Sequence, residues 1–230
     1  MFNYFADEKV VSSREEMVRK IEKTTKNVRK DIITMCNAVN SGHPGGSLSA
    51  TDIVTTLYFA VMNLDPDNPE WKERDRFILS KGHACPVWYS ALARRGYFGL
   101  EHLNTLRQTG SILQGHPDMK KTPGIDMTTG SLGNGLSIGV GKAIATRVLD
   151  EDYNVYVMLG DGEIQEGAVW EGAMAAAHYG LDNICAIVDY NGLQVDGSVK
   201  DIMSIEPVTD KWRAFGWNVK EIDGHNINEI

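Results

Sequence analysis

Apolar residues recur along this chain in two periods, one typical of helices and one typical of buried strands. Helical spacing begins behind a capping-box pattern at residues 13–16 and returns several times later. The predicted helices cover about residues 13–35, 48–62, 86–95, 101–107, 136–149, 168–179 and 209–215. Short apolar runs predict strands at residues 75–79, 153–159, 184–188 and 217–222. Strands that alternate with helices indicate an α/β fold with a mostly parallel sheet sandwiched between helices.

The predicted elements form one domain. No shift in composition, linker or low-complexity tract divides the 230 residues. Residues 1–12 show no clear period, and residues 226–229 have the pattern of a helix start that is followed only by Ile230. We therefore expect residues 1–230 to be a single domain that is incomplete at its C-terminal end.

Charge and cysteine content exclude some classes of protein. The chain has 31 acidic and 23 basic residues, a net charge of −8, which argues against a general nucleic-acid surface. No apolar run approaches the roughly 20 residues that a membrane helix needs. Cys36, Cys85 and Cys185 have no CxxC spacing, which is typical of reduced, mostly buried thiols in a cytoplasmic protein.

Two polar side chains stand directly behind predicted strands. Asp161 follows one strand within a Gly-Asp-Gly sequence, and Asn191 follows the next strand. Ligands of open α/β sheets bind beyond the carboxyl ends of the strands. We interpret Asp161 and Asn191 as oxygen ligands of one hard divalent cation that holds a diphosphate. The alternative is structural, with Asp161 as a helix cap and Asn191 in a turn.

Three histidines, His43, His83 and His116, lie in glycine-rich loops. Because imidazole titrates near neutral pH, we expect these side chains to line a polar pocket as hydrogen-bond donors and proton carriers. A three-histidine zinc site is one alternative, although no His-x-His or His-x-x-x-His spacing is present. A plain surface loop is the other alternative for each histidine taken alone.

Five motifs together resemble the N-terminal, diphosphate-binding half of transketolase, a family that uses thiamine diphosphate. In chain order they are Ser41-Gly42-His43-Pro44-Gly45, Ser80-Lys81-Gly82-His83, Gly115-His116-Pro117, Thr129-Gly130-Ser131-Leu132-Gly133, and the segment from Gly160-Asp161-Gly162 to Asn191. The resemblance covers nearly the whole chain. It implies the thiamine diphosphate-binding fold, with residues 1–230 as a diphosphate-binding (PP-type) domain.

The resemblance also implies roles for single residues. It places Mg²⁺, or Ca²⁺ or Mn²⁺, on Asp161, Asn191 and the carbonyl of Leu193. The cofactor-binding residues that it implies are His83, Gly130, Leu132, Gly162 and Asn191, of which Gly162 and His83 approach the diphosphate. The catalytic residues that it implies are His43, His83, His116 and Glu166. His43 and His116 would face the sugar, and Glu166 would link two active sites across a dimer.

The implied reaction is the transfer of a two-carbon ketol unit from a ketose, or ketose phosphate, to an aldose. Transketolases also carry a pyrimidine-binding domain, an activating glutamate and arginines for the sugar phosphate, none of which is present in residues 1–230. The resemblance therefore implies the N-terminal subunit of a split transketolase. It would be active only with a second subunit, in an α2β2 heterotetramer of cytoplasmic carbohydrate metabolism such as the pentose phosphate reactions.

Three other functions fit parts of the pattern. A non-catalytic diphosphate-binding or regulatory module would need the metal motif, but it would not need all three histidines. A deoxyxylulose phosphate synthase-like enzyme would share the metal motif, whereas Gly115-His116-Pro117 is more similar to transketolase. A Mg²⁺-dependent phosphohydrolase would release phosphate from simple diphosphates without any ketose.

Overall fold

The computed structural model describes residues 13–195 and 197–230, so the unpatterned segment at residues 1–12 lies outside the described residues. The chain divides into two compact units. The first unit comprises Met1–Arg74, His83–Thr128 and Ile222–Ile230, and the second comprises Asp75–Gly82 and Thr129–Glu221. The prediction of one domain stays a prediction.

The first unit is helical. Its α-helices are α1 (Arg14–Ala38), α2 (Pro44–Ser49), α3 (Thr51–Thr56) and α4 (Cys85–Arg95). A π-helical turn at Leu57–Val61 continues α3, and a 3₁₀ helix covers Leu100–Thr105. The predicted helix at 48–62 therefore begins earlier, because Pro44 has the backbone angle that suits a first helical turn.

Helix α1 follows its capping signal. The Ser13 hydroxyl accepts a hydrogen bond from the Glu16 amide at 3.3 Å, which satisfies one of the free N–H groups at the helix start. The buried stripe of this helix is Val18, Ile21, Thr25, Val28, Ile32 and Met35. Helix α4 packs against α1, and the Asp31 carboxylate of α1 accepts hydrogen bonds from Ser90 (2.6 Å) and Arg94 (2.8 Å) of α4.

The second unit is built on a parallel sheet, as predicted. Its strands are β1 (Arg76–Leu79), β2 (Val155–Gly160) and β3 (Ile184–Asp189), in the spatial order β1-β2-β3. A two-stranded antiparallel hairpin, β4 (Leu193–Gln194) and β5 (Gly197–Ser198), follows β3. The helices of this unit are α5 (Gly135–Leu149), α6 (Gly167–His178), α7 (Val199–Met203) and α8 (Val208–Ala214), with a 3₁₀ turn at Gly162–Gln165.

Small residues let α5 approach the sheet closely. A Cβ atom at Gly139 would lie 2.5 Å from Cγ2 of Val157 in β2, so only glycine fits at this point. This close packing explains why small and apolar residues alternate in α5. In register, Leu79 of β1 pairs with Met158 of β2, and Gly160 pairs with Asp189 of β3. The carboxyl ends of the three strands therefore lie at one edge.

One predicted element is wrong. Residues 217–222 form no strand, and the hydrogen bonds of Trp217 run to helices α8 and α6 rather than to a neighbouring strand. The Trp217 amide donates to the carbonyl of Trp212 at 3.2 Å, and its indole N–H donates to the carbonyl of Ala173 at 3.0 Å. Aromatic rings, rather than β-ladder bonds, hold this segment, since Trp212 contacts both Trp170 and Trp217.

The helix start predicted at residues 226–229 is present as a turn. The Asn226 side-chain amide donates to the Glu229 carboxylate at 2.8 Å, and the Ile230 amide donates to the Asn226 carbonyl at 3.1 Å. Across residues 13–195 and 197–230, no helix combines the length and the apolar character that crossing a membrane requires.

Candidate active site

Asp161 is buried at the end of β2 and is held by backbone amides. Its carboxylate is 2% exposed, and it accepts hydrogen bonds from the amides of Gly162 (2.8 Å) and Gly192 (2.6 Å). Burial raises the pKa of this carboxyl group, Asp189 raises it further, and the two amides and Lys81 lower it. The bond from Gly192 ties the loop behind β3 to the end of β2.

Asn191 lies in that same loop. Its side-chain oxygen accepts a hydrogen bond from the Leu193 amide at 2.9 Å, which closes a tight turn around Gly192. Gly192 has a φ of +75°, a conformation that glycine adopts without steric cost. The β4–β5 hairpin fixes the backbone of Leu193 through its pairing with Ser198. The hydrogen bond from Gly192 to Asp161 and the bond from Leu193 to Asn191 thus bring Asp161, Asn191 and the Leu193 backbone together.

The hairpin is itself anchored to the turn behind Asp161. The side-chain amides of Gln165 and Gln194 exchange hydrogen bonds of 2.7 Å and 3.0 Å. A Cβ atom at Gly162 would lie 2.9 Å from Cγ of Gln194, so a larger residue at Gly162 would press against the hairpin.

These groups suit a hard cation. Carboxylate, amide and carbonyl oxygens are the donors that Mg²⁺ and Ca²⁺ prefer in proteins. Asp161 does cap the 3₁₀ turn, and Asn191 does lie in a turn, as the structural alternative predicts. The two roles are compatible, because each carboxylate oxygen keeps a second lone pair after accepting one N–H bond.

Gly130 and Leu132 lie in the turn before α5. Gly130 has a φ of +142°, and Leu132 is 39% exposed. Gly133 ends the turn with a φ of +84°, and a Cβ atom there would lie 2.6 Å from Cβ of Glu166. The Cβ atom of Glu166 therefore packs against Gly133. Glu166 is exposed and lies directly before the first residue of α6.

Three buried charged residues of this unit are missed by the sequence reasoning. Lys81, behind β1, forms an ion pair with Asp189, at the end of β3, and both side chains are at least 93% buried. The Lys81 side chain passes Gly160, where a Cβ atom would lie 3.6 Å from its Cδ. Glu163 is 3% exposed. The sequence does contain one indication of these residues: all three lie at or just beyond the ends of apolar strands. A charged side chain in such a position is buried only when it has a partner.

The first unit contains the three histidines. The rings of His43 and His83 lie in edge contact, with centroids 5.1 Å apart. His43 is exposed, yet its pKa is lowered by partial desolvation of the ring and then by the positive charges of Arg107 and His116. In the described residues, no three His, Cys, Asp or Glu side chains are placed to hold a metal, so the zinc alternative has no support.

Arg107 connects the loops of His43 and His116. Its guanidinium donates to the Ser41 hydroxyl at 2.7 Å and lies close to Gly115, where a Cβ atom would be 3.2 Å from Nε. The backbone of Arg107 has a φ of +60°, which is uncommon for a residue with a side chain. Sequence alone gives no signal for this arginine.

Helix α4 supports the His116 loop from within the unit. The Tyr89 hydroxyl lies 2.9 Å from the carbonyl of Gln114 and 3.2 Å from that of His116. The buried Cys85 thiol lies 3.3 Å from the carbonyl of Gly115, and burial raises its pKa to about 12. Cys85 is therefore a packing residue and a weak hydrogen-bond donor. Of the three cysteines only Cys85 is buried, since Cys36 is half-buried and Cys185 is exposed, so the prediction of mostly buried thiols is wrong.

Comparison with known proteins decides the family. Residues 20–230 match the family described as "Transketolase, thiamine diphosphate binding domain". The chain belongs to this family. Its transketolase relatives include the 6-deoxy-6-sulfo-D-fructose transketolase subunit SqwG of Clostridium sp. (strain MSTE9), which is 50% identical over 203 residues; the match covers 88% of this chain and 74% of SqwG.

Two further transketolase relatives support the same family assignment. An apulose-4-phosphate transketolase subunit from Phocaeicola vulgatus is 43% identical over 213 residues, which cover 93% of this chain and 75% of that protein. The transketolase structure from Campylobacter jejuni matches with a TM-score of 0.88 at 34% identity, over 92% of this chain and 34% of that chain. The chain thus spans about a third of the longer transketolase.

These findings confirm the predicted transketolase family and the α/β fold with a parallel sheet. They also confirm the predicted function, an N-terminal thiamine diphosphate-binding subunit of a transketolase. The metal and the roles of the site residues stay predictions.

Proposed function

We propose that this transketolase subunit holds the diphosphate of its cofactor through a divalent cation bound by Asp161, Asn191 and the carbonyl of Leu193. The observation that carries the proposal is the 2.6 Å hydrogen bond from the Gly192 amide to Asp161, which joins the two loops that contain these donors. Mg²⁺ is usually coordinated by about six oxygens, so diphosphate and water complete its coordination. Ca²⁺ or Mn²⁺ can replace it, since both accept oxygen ligands.

Further residues contact the cofactor in this proposal. Gly162 and His83 approach the diphosphate, Gly130 and Leu132 lie along the cofactor, and Asn191 binds the cofactor through the metal. Thiamine diphosphate supplies the chemistry that breaks and forms the carbon–carbon bond when it is bound. The residues of this chain orient it and exclude water.

His43 and His116 face the sugar and carry protons. The lowered pKa of His43 keeps its imidazole neutral at physiological pH, so it can accept a proton or a hydrogen bond from a sugar hydroxyl. Arg107 holds the loops of both histidines in place through Ser41 and its packing on Gly115. Glu166 extends from the exposed start of α6 toward a second copy of the chain.

The partner is a second subunit with the pyrimidine-binding domain, in an α2β2 assembly. Support comes from the relatives whose names include "subunit", of which this chain covers about three quarters. Those names specify a sulfonated and a phosphorylated sugar. We therefore propose a ketose donor with an anionic far end, used in cytoplasmic carbohydrate metabolism such as the pentose phosphate reactions.

Titration calorimetry with thiamine diphosphate, with and without Mg²⁺, tests the metal site. Asp161→Ala is expected to weaken Mg²⁺-dependent binding by at least about tenfold, because a ligand and the bond to Gly192 are both lost. Asp182→Ala is the matched control, since its side chain is 96% exposed. Thermal unfolding of each variant without cofactor shows that it is folded. Equal Mg²⁺-dependent binding by Asp161→Ala and the wild type would remove the metal assignment.

A further inference from the structure

Glu163 is a buried carboxylate that joins three separate segments of the second unit. One of its oxygens accepts hydrogen bonds from the Ser80 hydroxyl and from the Gly133 amide, the latter at 2.9 Å. The other oxygen accepts from the Gly160 amide at 2.9 Å. Ser80 follows β1, Gly160 ends β2, and Gly133 precedes α5. A single side chain thus fixes segments that lie far apart in sequence.

The contact extends to the start of α5. The Ser80 oxygen accepts a hydrogen bond from the Gly135 amide at 3.1 Å, so its own proton is directed to Glu163. A Cβ atom at Gly135 would lie 2.3 Å from that oxygen. The turn of Gly130–Gly133 is therefore held at both its last residue and the helix that follows.

Among the residues that the structure describes, the groups hydrogen-bonded to the Glu163 carboxylate are all donors. An ionised carboxylate accepts at both oxygens, and this matches the two amides and one hydroxyl that face it. A carboxamide of the same shape would place an N–H group against an N–H group on one side, and a buried mismatch of this kind is costly.

Two of the three held segments are ones that the proposed function assigns to the cofactor and its metal. Gly160 directly precedes Asp161, and Gly133 directly follows Leu132. Glu163 itself is 3% exposed and directs its oxygens to the backbone and Ser80. It can therefore act on a ligand only through the segments that it holds.

We infer that Glu163 is a positioning residue, which sets the Gly130–Gly133 turn at the distance from the Asp161 turn that thiamine diphosphate binding requires. This inference rests on the proposed function. It predicts a defect in cofactor affinity rather than in the chemistry of the loaded enzyme.

The test compares Glu163→Gln with the wild type in the enzyme assembled with its partner subunit. We expect the KM for thiamine diphosphate to rise by about 10–100-fold, as for residues that orient ligand-binding groups. At saturating cofactor, kcat and the KM for the ketose should stay near the wild-type values. Glu171→Gln, an exposed change of the same type on α6, should leave all three constants unchanged.

Two outcomes would overturn the inference. One is an unchanged cofactor KM in Glu163→Gln, with or without the loss of kcat that a purely structural role would produce. The other is a raised KM accompanied by a large loss of kcat at saturating cofactor. If Glu163→Gln does not fold, Ser80→Ala removes one of the three donors. Its cofactor KM should then rise by a smaller factor, and an unchanged value would contradict the inference. A wild-type enzyme that binds no thiamine diphosphate would instead refute the proposed function.

Discussion

Single residues of this protein combine structural and chemical roles. Asp161 caps a 3₁₀ turn, joins two loops and presents oxygen lone pairs, all through one buried carboxylate. Arg107 also has two roles, because one guanidinium bonds to Ser41 and lowers the pKa of His43. These effects are local and can be separated by conservative substitution.

Arg107→Gln should raise the pKa of His43. A nearby positive charge disfavours the imidazolium, so its removal favours protonation and moves the titration to higher pH. Partial desolvation, the larger cause, remains, and the pKa should stay below the ordinary histidine value. An NMR titration of the His43 ring measures this shift. Added salt should act in the same direction in the wild type, because it screens the charge of Arg107.

Arg19→Gln is the control for this titration, since Arg19 lies exposed near the start of α1 and pairs with Glu15. A His43 titration that is the same in Arg107→Gln and in the wild type would show that the arginine has no electrostatic role.

At the scale of elements, the strand ends and the turns between them form the site. The sequence was sufficient to predict the longer helices and the three parallel strands, because the helical apolar periods are long and each of these strands contains an unbroken run of three or more apolar residues. Residues 217–222 contain three apolar residues separated by polar ones, a pattern that resembles a half-buried strand, but Trp217 is bonded to Trp212 and Ala173. Glu163, Lys81 and Asp189 were missed because their roles depend on segments that only tertiary folding brings together.

Gly133→Ala should destabilise the protein by about 2–4 kcal/mol. The φ of +84° strains any other residue, and the new Cβ would lie 2.6 Å from Cβ of Glu166. Gly141→Ala is a matched control within α5, since a Cβ there meets nothing within 4 Å. In a helix this change should stabilise by about 0.5–1 kcal/mol. Denaturant unfolding measures both, and equal effects of the two substitutions would contradict the strained turn.

Lys81→Met should destabilise the protein by about 3–5 kcal/mol, because it removes the cation that forms an ion pair with the buried Asp189 carboxylate. The double variant Lys81→Met/Asp189→Val should lose less than the sum of the single changes. A double-mutant cycle measured by denaturant unfolding should give a coupling energy of about 1–3 kcal/mol. Additive effects would show that the ion pair does not couple the ends of β1 and β3.

The whole molecule is one part of an enzyme. Family membership was predictable because five glycine-containing motifs, three of them with a histidine, occur in one order, and the comparisons confirmed it. The sugar was not predictable, because groups that recognise its far end are expected on the partner subunit. In the proposed enzyme, this chain binds the diphosphate and the metal, and the partner subunit carries the pyrimidine-binding domain.

The most direct test is a ketol-transfer assay with thiamine diphosphate, Mg²⁺, a ketose donor and an aldose acceptor. Activity is measured for this chain alone, for a polypeptide with the pyrimidine-binding domain alone, and for the two together. We predict two-carbon transfer only when both polypeptides are present, and its loss when the chain carries Asp161→Ala. Full transketolase activity of this chain alone would contradict the account.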